Sequence, residues 1–196
     1  MSRKSRNKVL KKEIFIFCEG ITEKIYFDLL KQKYRLPNVK VRVSGGLGQS
    51  LELVKCALKK TATSNSKKKQ AIEKVLVVFD KDDEPWETIE QAFSLARKNH
   101  LDVCFSNECF ELWLLAHYEK IQKNKYYDRK LLYSKLTHYL KIEAYESEKA
   151  NKIIIQRIFT QYDSTETNCA DLSTHFKEKN YCDMQSVIQN IFKTNI

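Results

Sequence analysis

Carboxylates recur in three short stretches of the chain: Glu19 and Glu23 in "FCEGITE", Asp80, Asp82 and Asp83 in "FDKDD", and Glu108 and Glu111 in "SNECFE". Each stretch follows directly on an apolar run. Carboxylates gathered in one place repel one another unless a cation neutralises them, and an all-oxygen set suits Mg²⁺ or Mn²⁺. An ion held among such carboxylates could activate water or stabilise a leaving oxygen. That chemistry requires the three stretches to meet.

The runs before them read as strands: 13–18 ("EIFIFC"), 39–43 ("VKVRV"), 74–79 ("KVLVVF") and 101–106 ("LDVCFS"). The first and third are continuously apolar, as strands covered on both faces are. Helical spacing separates them, with Ile25, Tyr26, Leu29 and Leu30 after the first, Leu51, Val54 and Leu58 after the second, and Ile89, Phe93 and Ala96 after the third. Strand and helix in alternation predict an α/β fold around a mainly parallel four-stranded sheet. Ligands bind such sheets at the carboxyl ends of the strands, which places the acidic stretches on one edge. Gly20 is read as the residue that lets the chain turn sharply there. Alternation along an extended chain would aim Asp80 and Asp82 to one side and Lys81 away. Ordinary explanations compete: Glu23 would favour a helix dipole, and Asp80 to Pro85 has the composition of a turn.

After residue 106 the pattern is helical throughout, in "ECFELWLLAHYEKI", "DRKLLYSKLTHYL", "SEKANKIIIQRIF" and "MQSVIQNIF". The organisation expected is a basic tail over 1–12, an α/β core over 13–118, and a helical extension over 119–196 packed on that core. The segments "TATSNSKKK" and "DSTETNCADLST" read as flexible. "SGGLGQS" (44–50) could offer amide groups to a phosphate, but it matches no phosphate-loop pattern and a simple loop explains it.

Composition narrows the class. At 196 residues, 42% hydrophobic and 31% charged, the chain is globular, and no apolar run approaches the ~20 residues of a membrane span. The first twenty residues lack the apolar core of a secretory signal, so the expected location is cytoplasmic, with no membrane association. The six cysteines show no zinc-type spacing. The four histidines are widely spaced, with no GxSxG or HExxH motif; His117 and Trp113 read as packing residues. Net charge is +10, and Arg3, Lys4, Arg6, Lys8, Lys11 and Lys12 supply more than half of it. With Lys67, Lys68 and Lys69 forming a second basic cluster, an anionic polymer is a fitting partner, and those three lysines are candidate nucleic-acid contacts.

Taken together, "FCEGITEKIYF", "VVFDKDD" and "SNECFELWLLAHY" resemble RloB-family proteins over about residues 13–118. The resemblance implies a Toprim-type fold related in arrangement to the OLD-family nucleases. It implies a role in anti-phage defence of the abortive-infection kind, and a partner ATPase of the AAA or ABC type. Residue by residue, Glu19 and Glu23 take the place of the Toprim glutamates and Asp80 and Asp82 that of the DxD pair. Glu111 matches the third motif without an assigned role, and Asp83 is a further candidate. The reaction expected is metal-dependent hydrolysis of phosphodiesters in DNA or structured RNA, tRNA included. The basic residue such a reaction needs is not identifiable; Lys177, Lys179 and Lys67–Lys69 qualify only by charge. Two other readings stay open: a non-catalytic regulatory subunit that binds nucleic acid or an ATPase, and topoisomerase- or primase-like chemistry. So does assembly into a homo-oligomer.

Overall fold

The computed structural model describes residues 12–44, 49–62 and 72–194. Strand β1 (Glu13–Cys18) leads into helix α1 (Ile21–Lys33), β2 (Val39–Val43) and α2 (Ser50–Ala62). Strand β3 (Ile72–Asp80), α3 (Trp86–Lys98) and β4 (Asp102–Asn107) complete the alternating half. The helical half contains α4 (Glu111–Leu115), α5 (Arg129–Leu140), α6 (Tyr145–Glu148), α7 (Lys152–Phe159), α8 (Thr165–Asn168) and α9 (Met184–Val187). The last of these runs on into a π-helical segment, Ile188–Lys193.

With a short last strand, β5 (Tyr181–Cys182), the sheet has five strands in the order β2-β1-β3-β4-β5. The first four are parallel, as expected, with Cys18 level with Val43 on one side and Val78 on the other. The fifth, β5 (Tyr181–Cys182), is antiparallel to β4 and pairs with Ser106 and Asn107. Its two residues lie in a stretch expected to be helical or irregular, and two residues are too few for a period to be visible.

Burial on both faces explains the continuous apolar runs. Ile14, Ile16, Cys18, Leu76, Val78 and Cys104 face a core shared with α1, α4, α5 and α7. Phe15, Phe17, Val77, Phe79 and Phe105 face a second core with α2 and α3. Because alternate side chains reach opposite faces, a strand covered on both, as β1 and the second half of β3 are, is apolar at nearly every position. All six cysteines are free thiols, and Cys18 and Cys104 are buried as strand residues. Among the described residues no helix is long and apolar enough to cross a membrane.

The helical half departs from the expected pattern in three places. In "ECFELWLLAHYEKI" only Glu111–Leu115 is α-helical. Asn168 Nδ2 donates to the Ala116 carbonyl at 2.8 Å and Ser164 Oγ to the His117 carbonyl at 3.0 Å, taking acceptors that a longer helix would use itself. In "SEKANKIIIQRIF" the helix is interrupted before Asn151, whose side chain accepts from Ile153 N at 2.9 Å and starts α7. The segment 163–174, expected to be flexible, carries α8 and is tied to the core by the two bonds just named. "TATSNSKKK" lies almost wholly outside the described residues, as do the glycines of "SGGLGQS".

Candidate active site

At the carboxyl edge of the sheet is a cavity of about 380 Å³ lined by Glu19, Glu23, Asp80, Asp82, Glu111 and Arg129, with Gly20, Tyr133 and Lys149 among its other walls. Glu19 leaves β1 still beside β3, its amide donating to the Val78 carbonyl at 3.2 Å. Glu23 lies in the first turn of α1 and is 7% exposed. Asp80 ends β3, and its Oδ2 accepts from Phe110 N at 2.9 Å. Glu111 opens α4, 5% exposed, with the Tyr145 hydroxyl 3.3 Å from its Oε1.

Asp82 reaches the cavity by a different route from the one alternation suggested. The strand ends at Asp80, and Asp82 sits in the left-handed region at φ 39° with its amide donating to the Glu108 carbonyl at 3.0 Å. The turn, not a continued strand, aims its carboxylate inward. Lys81 does point away, its ammonium bonding the Glu84 carbonyl and lying 5.2 Å from the Trp86 ring. Asp83 does not line the cavity: its side chain is 96% exposed and meets Arg129 at 3.5 Å. Glu108 stays at the rim, where its carboxylate accepts from the Tyr126 hydroxyl.

Glu19 Oε2, Glu23 Oε2 and Asp80 Oδ1 are buried and have no hydrogen-bond partner. Unpaired buried carboxylate oxygens are costly, and the cost appears as a resistance to ionisation. Burial pushes Glu19 up to about 8, with Asp82, Glu23 and Glu84 adding to the shift. Burial likewise raises Glu23 to about 7, partly offset by a backbone hydrogen bond, with Glu111 and Asp82 pushing upward. Asp80 is held well above the ordinary carboxylate range by burial and then by Glu23, Asp82 and Glu111. As the side chains stand, no three His, Cys, Asp or Glu among the described residues are arranged around a common ion position. A fit to a cation therefore rests on the donor set and its three unpartnered oxygens.

Gly20 contributes space and not a special turn. Its φ of −110° is open to any residue, but a Cβ there would lie 2.5 Å from Glu23 Oε2. Gly20→Ala is expected to fold normally and to push the Glu23 carboxylate aside. Were Glu23 to hold a divalent ion, calorimetry on this variant should show its affinity reduced about tenfold or more.

A family model described as RloB-like protein matches residues 14–191. The chain belongs to the RloB-like family. The match runs through the helical half as well as the three acidic motifs, which lie within residues 13–118. No curated protein and no solved structure matches the chain.

In this RloB-like chain the cavity's cations come from the helical half, where the sequence marks nothing. Arg129, at the start of α5, pairs with Asp82 at 2.7 Å. Lys149 lines the cavity next to Thr22, whose hydroxyl donates to the Lys149 carbonyl at 2.8 Å. Only the "D-R-K" beginning of an amphipathic helix, with Asp128 capping Leu131 N at 2.7 Å, hinted at Arg129's helix-terminal position. Lys177 instead pairs with Glu90, and Lys179 packs on Tyr126. Lys67, Lys68 and Lys69 lie outside the described residues. His117 is a packing residue: its Nδ1 donates to the Trp113 carbonyl at 3.1 Å and its Nε2 accepts from the Tyr26 hydroxyl at 3.0 Å. Burial lowers it to about 4, so it remains neutral.

Proposed function

We propose that this RloB-like protein hydrolyses phosphodiester bonds in nucleic acid with the help of Mg²⁺ or Mn²⁺. The observation that carries the reading is the set of three buried, unpartnered carboxylate oxygens on Glu19, Glu23 and Asp80 in one cavity at the carboxyl edge. Hard oxygen donors with no nitrogen ligand fit those two ions. Glu23, Asp80 and Asp82 would hold the ion, which would supply charge against the phosphoryl oxygens and acidify water.

The protein's own groups do the rest. Glu19, raised to about 8, is matched to proton transfer from an attacking water near neutral pH. Arg129 and Lys149 place two cations against the same cavity, where they can offset charge building on phosphorus. Tyr145 orients Glu111 through its hydroxyl. On this reading the fold is of the Toprim type, and the protein acts in the cytoplasm in anti-phage defence beside an AAA- or ABC-type ATPase, as the family resemblance implies.

The test is calorimetric titration of Mg²⁺ and Mn²⁺ into the wild type and into Asp80→Ala/Asp82→Ala, followed by cleavage assays on DNA and RNA with and without chelator. Binding and chelator-sensitive cleavage are expected in the wild type, and neither in the variant. A wild type that binds no divalent ion would overturn the proposal in favour of a regulatory subunit.

A further inference from the structure

Beside the cavity the chain builds a basic and aromatic shelf that the proposed chemistry leaves unused. Tyr126 is 41% exposed, a large ring left at the surface. Its hydroxyl donates to the Glu108 carboxylate, and the Glu108 carbonyl accepts from Asp82 N at 3.0 Å. The ring therefore stands two contacts from a cavity carboxylate. Lys179 Nζ lies 3.6 Å from the ring centroid, and Lys123 and Lys125 lie just before Tyr126 in the same loop. Among the described residues none of these three lysines has an acidic partner, whereas the neighbouring Lys120 and Lys177 pair with Asp171 and Glu90.

The shelf is pinned from beneath. Asn180, 2% exposed and at φ 62°, sets its amide 3.2, 3.4 and 2.5 Å from the carbonyls of Gln122, Lys123 and Lys125. The hydroxyl of the buried Tyr127 accepts from Gln122 N at 3.3 Å. Ser173 holds the other strand of the shelf, its amide donating to the Asn180 carbonyl at 3.1 Å and its hydroxyl to the Lys179 carbonyl at 2.6 Å. A loop ordered in advance loses less entropy when it binds, which is what a recognition surface gains from such pins.

Resting on the phosphodiester reading, we infer that this shelf binds unpaired nucleotides, with a base stacked at Tyr126 and flanking phosphates on Lys123, Lys125 and Lys179. Aromatic rings interleaved with cations that have no acidic partner are the chemistry of single-strand binding, tolerant of sequence because every base has a stacking face. The recess favours the same substrate. Glu23, Asp80 and Glu111 are each less than a tenth exposed, and a phosphate on a stiff paired helix cannot bend into a cavity of about 380 Å³. An unpaired strand can.

The test is fluorescence anisotropy in chelator, so that neither metal nor cleavage intervenes, using thymidine and uridine oligomers of about 15 nucleotides and a duplex of similar length. The wild type should bind the single strands more tightly than the duplex, and the two sugars compared show whether DNA or RNA is preferred. Tyr126→Ala should weaken single-strand binding about 5- to 150-fold, and Tyr126→Trp should restore it. Replacing Lys123, Lys125 and Lys179 together by alanine should flatten the salt dependence by about 2 log units per log unit of salt. Tyr126→Ala binding as well as the wild type, with an unchanged melting temperature, would overturn the inference, as would equal affinity for duplex. Strand binding without cleavage would defeat the hydrolysis reading alone; cleavage with an inert Tyr126 would defeat the shelf alone.

Discussion

Asp80→Asn is expected to reduce metal-dependent cleavage by on the order of 10³-fold or more while raising the melting temperature of the metal-free protein. The two effects share one cause. Asp80 is 9% exposed, one oxygen accepts from Phe110 N, and the other meets nothing. Asparagine keeps the acceptor for Phe110, removes an ionisable group that burial and then Glu23, Asp82 and Glu111 force to stay protonated, and offers those neighbours an amide donor. Relief of about 1 kcal/mol corresponds to roughly 2–4 °C for a chain of this length. Thermal melts in chelator alongside a cleavage assay make the comparison. Lost activity with a lower melting temperature would instead make Asp80 a structural residue.

The second large effect concerns pH and metal together. Glu23 rises from the ordinary 4.5 to about 7 and Glu19 to about 8 in the folded chain. Between those values and the ordinary carboxylate range the folded protein binds more protons than the unfolded one. The associated stability is therefore full below about pH 4.5 and falls progressively as pH rises, until about 7 for Glu23 and about 8 for Glu19. For buried Glu23 the loss approaches about 1.4 kcal/mol per pH unit within its window. A divalent cation neutralises the same carboxylates without needing protons. Free Mg²⁺ at about 100 times its Kd should stabilise by about 2.7 kcal/mol, or roughly 5–10 °C. The upward shift in melting temperature should be larger at about pH 8 than at about pH 5.5, because protons compete for the site at the lower pH. Melts at matched ionic strength measure it; a larger shift at low pH would contradict an ion site made of these residues.

The acidic edge was legible because its signals are local. Continuous apolar runs as short as 13–18 and 74–79, each followed by a helical pattern, fit strands covered on both faces, and a parallel sheet puts Glu19, Glu23 and Asp80 at one end. Asp82 lines the cavity through a left-handed turn and not through strand alternation, which spacing alone does not reveal. Gly20 is similar: its role depends on where the Glu23 carboxylate lies, which no spacing reveals. Arg129 and Lys149 were invisible because they lie downstream of Glu111, the last acidic position of the cavity, in a helical half whose surfaces carry many other cations. Tertiary bonds also decided what propensity could not. The early end of α4 depends on Asn168 and Ser164, and nothing between residues 108 and 121 announces it.

The division of the cavity between two halves of the chain has a consequence for biosynthesis. Every carboxylate in it is encoded by residue 111, whereas Arg129 and Lys149 follow, and the core against Ile14 and Ile16 is closed by Ile155, Ile158 and Phe192. A polypeptide emerging from its ribosome thus presents the acidic edge well before the groups that balance it, and before one face of the sheet has a partner. For a protein proposed to cut nucleic acid, this timing matters, because a nascent chain is surrounded by the ribosome's own RNA. On the proposed reading, the cavity is completed only once the helical half has been made, so the order of the residues delays the meeting of its acids with their balancing cations.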